Sequence, residues 1–125
     1  MVWIAIGTGG ALGAMARHAV NHVVNLRFGG TFPAGIFLVN AIGCFVIGLI
    51  AGLIASTRLH IGELGRTFIV VGMLGGFTTF SSYGLDTFTL MRGGQTGLAL
   101  VNAVGQMVVG LAAVWVGFAI GDWRV

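Results

Sequence analysis

Four largely apolar stretches, each about as long as a membrane-spanning helix, take up most of this 125-residue chain. Such a helix needs about 20 residues, because the hydrocarbon core of a bilayer is roughly 30 Å thick and a helix rises about 1.5 Å per residue. Charged residues make up only 7% of the chain and hydrophobic residues 57%, which is outside the range of soluble domains. The sequence therefore predicts an all-α membrane protein with four transmembrane helices, at about 3–24, 34–56, 67–91 and 96–120.

The connections between these stretches are short, so that residues 1–125 are predicted to form a single four-helix transmembrane domain. Pairs of glycines four residues apart occur in each stretch and predict close contacts between helices. They are Gly9 with Gly13, Gly48 with Gly52, Gly72 with Gly76, and Gly117 with Gly121. Four helices of this length leave little room for a pore, and a transport function would therefore favour an oligomer.

The basic residues are scattered rather than clustered, which argues against a nucleic-acid partner and places them at the ends of spans. In a four-span protein they divide three and three between the two sides of the membrane, with Arg58, Arg66 and Arg124 on one side and Arg17, Arg27 and Arg92 on the other. The positive-inside rule then specifies no orientation. Either the rule is uninformative for so small a protein, or the chain inserts both ways and forms an antiparallel dual-topology homodimer.

Three amide side chains lie within the predicted spans and more than three residues from their ends. Asn40 is in the second, while Asn102 and Gln106 are four residues apart and so on one face of the fourth. They could line a polar track and offer N–H donors to an anion, or they could simply bind helices together. Because no Asp, Glu or Lys lies near the middle of a span, passive conduction is favoured over proton-coupled transport.

The polar motif GGFTTFSSYG, at 75–84, interrupts the third span near its centre. Glycine, β-branched threonine and backbone-bonding serine all weaken a helix, so the third helix is predicted to be broken at mid-membrane. Freed backbone carbonyls there could bind a small cation such as Na⁺. Phe80 and Tyr83 would share a face and could turn the positive edges of their rings to an anion. The alternative is a flexible kink with lipid-facing aromatic rings.

The stretch GGFTTFSSYGLD resembles the GGxTTFSxFxxE signature of the Fluc (CrcB-type) fluoride ion channels. GGALGAMAR in the first span and GIFLVNAIGCFVIG in the second support this resemblance, which extends over nearly the whole chain. The resemblance implies a fluoride-selective channel, without catalytic activity, that exports F⁻ passively across the prokaryotic plasma (inner) membrane and lowers cytoplasmic fluoride. It also implies a multi-pass, dual-topology homodimer in membrane lipid, with two pores and a structural Na⁺ at its centre.

The same resemblance assigns expected roles to individual residues. The fluoride pathway would contain Asn40, Phe80, Tyr83, Thr79, Ser82, Asn102 and Gln106. Backbone carbonyls of Gly75 and Thr78 would hold the Na⁺, and Arg17 and Asp86 match positions with structural or electrostatic roles.

This chain departs from the family signature at three positions. Tyr83 stands where the second pore Phe is usual, Asp86 replaces Glu, and Ile36 replaces Thr in the second span. The hydroxyl of Tyr83 could either donate to fluoride or obstruct it.

The main alternative function is that of a small multidrug-type transporter, which is also four-helical and dual-topology. Such a transporter should carry an embedded Glu in the first span, and this chain has none. A non-conducting assembly subunit is a third possibility.

Overall fold

The computed structural model describes residues 1–123, and every regular element in that range is helical. The elements are α1 (Val2–Phe28), α2 (Ala34–Ala55), α3 (Glu63–Arg66), the π-helix π1 (Thr67–Leu74), α4 (Gly75–Phe77), α5 (Phe80–Arg92) and α6 (Thr96–Gly121). The segments α3, π1, α4 and α5 follow one another within Glu63–Arg92 and are called the third span below. Arg124, one of the predicted span-end arginines, lies outside the described residues.

Within residues 1–123, three helical stretches are long and apolar enough to cross a membrane: Ala34–Ala55, Glu63–Arg92 and Thr96–Gly121. They agree with the second, third and fourth predicted spans to within a few residues. The first predicted span corresponds to α1, whose 27 residues would extend over about 40 Å. Its second half carries several polar side chains, which makes α1 less apolar than the other three: Arg17, His18, Asn21, His22, Asn25 and Arg27.

Helices α2 and α6 form the most extensive helix pair, and glycine makes their close approach possible. A methyl group added to Gly48 would meet the backbone of Val114 in α6, and one added to Gly52 would also meet the α6 backbone. Gly117 and Gly121 meet the backbone of α2 in the same way. Both predicted glycine pairs are therefore confirmed as positions of helix contact.

The other two glycine pairs join α1 to the third span. Gly9 and Gly13 lie against the backbone of π1 and α4, so that a methyl group on Gly13 would come within 2.8 Å of the Phe77 nitrogen. From the opposite side, Gly72 faces the backbone of Gly9, and Gly76 faces that of Gly10. These contacts, which the spacing also predicted, hold α1 along the half of the third span that precedes its break.

Most of the large apolar side chains point away from the bundle. On the outer face of α6, Leu111 is 71% exposed and Trp115 is 73% exposed, and the only fully buried large side chains in the described part are Val39 and Asn102. A soluble protein of this size would bury such residues. The exposed apolar surface and the apolar spans together indicate a multi-pass membrane protein whose outer faces meet lipid or another chain.

Candidate functional site

The third span leaves the helical conformation at two residues, Thr78 and Thr79, although the Thr78 N–H still donates to the Leu74 carbonyl at 3.0 Å. Thr78 has φ −80° and ψ 157°, and Thr79 has φ −152° and ψ 118°, so both are extended. The helix resumes at Phe80. The predicted break is thus confirmed, and it lies within the GGFTTFSSYG motif as its composition suggested. The single turn α4 precedes the break, and before it lies the π-helix π1, a rare element that is frequent at functional sites.

Asn40 of α2 holds the broken backbone in place. The Thr79 N–H donates to Asn40 Oδ1 at 2.9 Å, and Asn40 Nδ2 donates back to the Thr79 carbonyl at 3.1 Å. The side-chain amide therefore pairs with one backbone residue as a neighbouring β-strand would, and it satisfies the Thr79 N–H, which the break leaves without its helical partner. In a continuous α-helix the Thr79 N–H would instead bond the carbonyl of Gly75.

Thr79 also begins the helix that follows the break. Its Oγ1 accepts a hydrogen bond from the Ser82 N–H at 3.2 Å, which is the N-cap arrangement favoured for Thr and Ser. The hydroxyls of Ser81 and Ser82 lie 3.2 and 3.1 Å from the same oxygen. Because the Ser82 N–H is used in this cap, it is turned away from the Thr78 carbonyl, its partner in a continuous helix. The hydroxyl residues of the motif thus end one helical segment and start the next.

A chain of side-chain hydrogen bonds runs from Asn40 beside the break to α6 and returns to the third span at α5. Asn40 Nδ2 donates to Gln106 Oε1 at 2.7 Å, Gln106 Nε2 donates to Asn102 Oδ1 at 2.9 Å, and Asn102 Nδ2 donates to Thr87 Oγ1 at 2.9 Å. The Thr87 hydroxyl ends the chain by donating to the Tyr83 carbonyl at 2.8 Å. We call the series from Asn40 to Tyr83 the amide chain, and every donor along it points in the same direction.

The break opens into a groove of about 430 Å³ on the surface of the chain. It is lined by residues from α2, the third span and α6: Asn40, Gly43, Cys44, Ile47, Val70, Leu74, Gly75, Thr78, Thr79, Phe80, Tyr83, Gln106 and Met107. The rings of Phe80 and Tyr83 lie 5.3 Å apart at an angle of 41°. Phe80 is 83% exposed, so the groove is open to the outside of the single chain at this ring.

The groove contains five of the seven predicted pathway residues, and the other two adjoin it. Asn102 is fully buried behind Gln106, to which it is hydrogen-bonded, and Ser82 lies behind Thr79. The predicted shared face of Asn102 and Gln106 is confirmed by their direct bond, and that of Phe80 and Tyr83 by their ring contact. Their roles toward an ion stay predictions.

The hydroxyl of Tyr83 donates to the Ala103 carbonyl in α6 at 3.0 Å. Because this bond uses the hydroxyl hydrogen, the Tyr83 hydroxyl does not donate to an ion in the groove. It connects α5 to α6 instead. The departure from the family signature at this position therefore adds a contact between helices, while the ring remains in the groove.

Replacing Tyr83 by phenylalanine is accordingly expected to lower stability while preserving the groove. The variant should lose about 0.5–1.5 kcal/mol, the usual net contribution of one such hydrogen bond, because the Ala103 carbonyl loses its side-chain partner. Thermal unfolding in detergent would measure the loss, and Tyr83→Leu, which removes the ring as well, is the comparison. Unchanged stability of Tyr83→Phe would mean that the bond to Ala103 contributes nothing.

The predicted carbonyl ligands Gly75 and Thr78 both line the groove. Arg17 of α1 donates from Nη1 to the Thr78 carbonyl at 3.3 Å, a long bond that leaves the second lone pair of that oxygen for another partner. Arg17 therefore acts on the break directly, whereas the sequence suggested only a structural or electrostatic position. A carbonyl and a guanidinium from separate helices meet here because the glycine contacts bring α1 against the third span.

Asp86 does not join the groove. It lines a second cavity of about 310 Å³ at one end of the bundle, formed with Thr31, Pro33, Thr89, Leu90, Gly93 and Gln95. Its Oδ2 is buried without a hydrogen-bond partner among the described residues. The structure thus separates Asp86 from the pathway residues with which the sequence motif groups it.

Two residues at the site were missed by the sequence reasoning. Thr87 links Asn102 to the Tyr83 carbonyl, and its position four residues after Tyr83 on α5 was the available signal. Cys44 also lines the groove, and a single cysteine in an apolar stretch gives no sign of this in the sequence.

A helical membrane protein with a clamped break in one span, a groove beside it and a row of amides belongs to the class of small ion-conducting membrane proteins. The sequence profile described as CrcB-like protein, Camphor Resistance (CrcB), matches residues 4–118, and this chain therefore belongs to that family. The resemblance drawn from the motif is confirmed.

Curated relatives are similar over nearly their whole length. A "Fluoride-specific ion channel FluC" from Opitutus terrae is 46% identical over 117 residues, covering 93% of this chain and 89% of the relative. "Fluoride-specific ion channel FluC 2" from Nitrobacter hamburgensis is 42% identical over 120 residues, covering 96% of each chain. A protein from Chloroflexus aurantiacus, also named "Fluoride-specific ion channel FluC", is 43% identical over 120 residues and covers 96% of this chain and 94% of the relative.

Proposed function

We propose that this chain is a fluoride channel that lets F⁻ leave the cytoplasm passively across a prokaryotic plasma membrane. Family membership and the names of the relatives support the substrate. The structural observation that carries the proposal is the break at Thr78 and Thr79, clamped by Asn40 and opening into a groove with amides on one side and two aromatic rings on the other. The reaction is conduction alone and involves no catalytic step.

The donors in the groove suit a small, strongly hydrated anion. A pore must replace the water around fluoride with N–H, O–H or ring-edge contacts that are weak enough for the ion to leave. Asn40 Nδ2 already uses two N–H bonds, to Thr79 and Gln106, so that its main part is to hold the break. Gln106 Nε2 makes one bond to a neighbouring side chain, which leaves a second N–H to face an ion. The ring edges of Phe80 and Tyr83 add positive potential without a fixed charge.

We infer that α1 is the fourth membrane span and that the working unit is an antiparallel homodimer. The glycine contacts of Gly9 and Gly13 with the third span support the first inference, because they hold α1 alongside a helix that is apolar enough to cross the membrane. The even division of arginines supports insertion in both orientations. The exposure of Phe80 supports a second copy, since an open groove would admit lipid unless another chain covered it.

Na⁺ is proposed as a structural ion at the centre of that dimer, as the family resemblance implies. The residues fit such a role, because Asn40 and Thr79 capture the amide hydrogens that a continuous helix would give to the carbonyls of Gly75 and Thr78. Both carbonyls belong to residues of the groove, and carbonyl oxygens are suitable ligands for a hard cation. A bound Na⁺ would add positive charge beside an anion pathway. Arg17 would share the Thr78 carbonyl with it.

Ion efflux from liposomes that contain only this purified chain tests the proposed function. Vesicles loaded with potassium fluoride, and others loaded with potassium chloride, are diluted into an impermeant salt, and valinomycin is added to balance charge. We expect rapid fluoride efflux and chloride efflux no faster than from protein-free vesicles. Absence of fluoride efflux from correctly folded, inserted protein would contradict the proposal, and equal efflux of the two halides would contradict the selectivity.

A further inference from the structure

The histidines of α1 form a pair outside the groove. His18 and His22 are four residues apart, and their rings are stacked with centroids 6.1 Å apart and planes within 9° of parallel. Both residues are exposed, while the neighbouring Arg17 turns its guanidinium to the Thr78 carbonyl. The two imidazoles therefore stand side by side on one face of a helix, with nothing from the groove between them.

We propose that His18 and His22 together bind a divalent transition-metal ion such as Cu²⁺, Ni²⁺ or Zn²⁺. Neutral imidazole is the commonest protein ligand for these metals, and two histidines separated by one helical turn are the arrangement that helical zinc sites use. Metal–nitrogen bonds of about 2.0–2.1 Å require one nitrogen of each ring to approach the same point. Parallel rings at the observed separation reach that arrangement by side-chain rotation alone, because the helix fixes their spacing.

The site has two protein ligands, and water completes the coordination shell. Among residues 1–123 no group of three or more His, Cys, Asp or Glu side chains is placed to hold a metal ion. The pair is thus an open site of moderate affinity rather than a closed structural one. It selects for metals that prefer nitrogen, and Ca²⁺ and Mg²⁺, which prefer oxygen, are not expected to bind.

The position of the pair allows access from water. Helix α1 is about 40 Å long, roughly 10 Å more than the hydrocarbon core, so one end extends beyond the apolar layer. The polar side chains after His18 mark this end, and Asn25 Nδ2 donates to Asn21 Oδ1 at 3.3 Å on the same face. Asn21 lies against Gly35 at the start of α2, so His22 is level with the end of that span. A hydrated metal ion would reach His22 from water, and His18 one turn deeper on the same face.

Cu²⁺ is the most informative probe, because it forms the strongest complexes among the divalent first-row metals and has an electron paramagnetic resonance signal. Full-length protein in detergent, without an affinity tag, would be titrated with Cu²⁺ and compared with His18→Ala, His22→Ala and His60→Ala. We expect one bound ion per chain with splitting from two nitrogens. Either α1 variant should weaken binding at least about tenfold, since each removes half of the chelate. His60→Ala should bind as the parent chain does.

A second variant tests whether tight metal binding requires two histidines on one face of α1 or only two histidines anywhere on the helix. Val20→His in the His22→Ala background keeps the number of histidines but puts the second imidazole on another face of α1. Its Cu²⁺ affinity should match that of His22→Ala alone. The proposal is overturned if this variant binds as tightly as the parent chain, or if His18→Ala and His22→Ala leave the affinity and the nitrogen splitting unchanged.

Discussion

Fluoride efflux should fall at least about 100-fold when Asn40 is replaced by aspartate. The amide of Asn40 donates to both the Thr79 carbonyl and Gln106 Oε1, and a carboxylate can donate to neither. Each buried acceptor left without a donor costs about 1–3 kcal/mol, and about 1.4 kcal/mol corresponds to a factor of ten in rate. The new negative charge would also repel an anion in the groove. The measurement is the liposome efflux assay on matched amounts of inserted protein.

Asn25→Asp is the matched control for this prediction. It makes the same substitution on α1, where the amide is exposed and bonded only to Asn21 among the described side chains. Its efflux should stay within about twofold of the parent chain, because exposed polar substitutions seldom change stability appreciably. Circular dichroism and size-exclusion profiles would confirm that both variants are folded. If folded Asn40→Asp conducts like Asn25→Asp, Asn40 does not hold the conducting form of the break.

Phe80→Ile is expected to lower fluoride efflux about two- to tenfold with little loss of stability. The ring of Phe80 lines the groove beside Tyr83 and is 83% exposed in the single chain, so that folding of the chain depends little on it. Isoleucine keeps much of the apolar volume but has no positive ring edge to offer an anion. If the contact between the ring edge of Phe80 and the ion contributes about 0.5–1.5 kcal/mol, as aromatic contacts commonly do, its loss accounts for a change of this size.

Phe88→Ile provides the comparison on the same helix. Phe88 is 57% exposed and lies outside the groove, so its replacement removes an aromatic ring from α5 without touching the proposed pathway. Efflux of this variant should remain close to that of the parent chain. Equal efflux from Phe80→Ile and Phe88→Ile would show that the exposed ring in the groove has no part in conduction, and the aromatic side of the proposed pathway would be withdrawn.

The parts of the fold that depend on local sequence could be predicted. Three spans follow from apolar length, and the break follows from the glycines, threonines and serines of one ten-residue motif, because their conformational preferences act within a turn or two of the chain. The bond between Asn102 and Gln106 follows from helical spacing alone. The same reasoning applies to the ring contact of Phe80 with Tyr83.

The parts that depend on contacts between distant segments could not be predicted. Sequence identified Asn40 as a polar residue in a span, but nothing local indicates that its amide pairs with the backbone of Thr79, 39 residues away. Arg17 reaches the Thr78 carbonyl, 61 residues away, only because α1 lies against the third span. The position of Asp86 in a separate cavity is likewise set by the loops around it. The π-helical form of Thr67–Leu74 has no counterpart in its composition.

The amide chain described above has a consequence for how tightly an anion can be held. Its members are already bonded to one another, from Asn40 through Gln106 and Asn102 to Thr87. At Asn40, where both amide hydrogens are bonded, an ion that takes one of them replaces an existing partner, and the bond re-forms when the ion leaves. The net gain is the difference between two hydrogen bonds of similar strength, so that a row of strong donors can transfer fluoride from one to the next without becoming a trap.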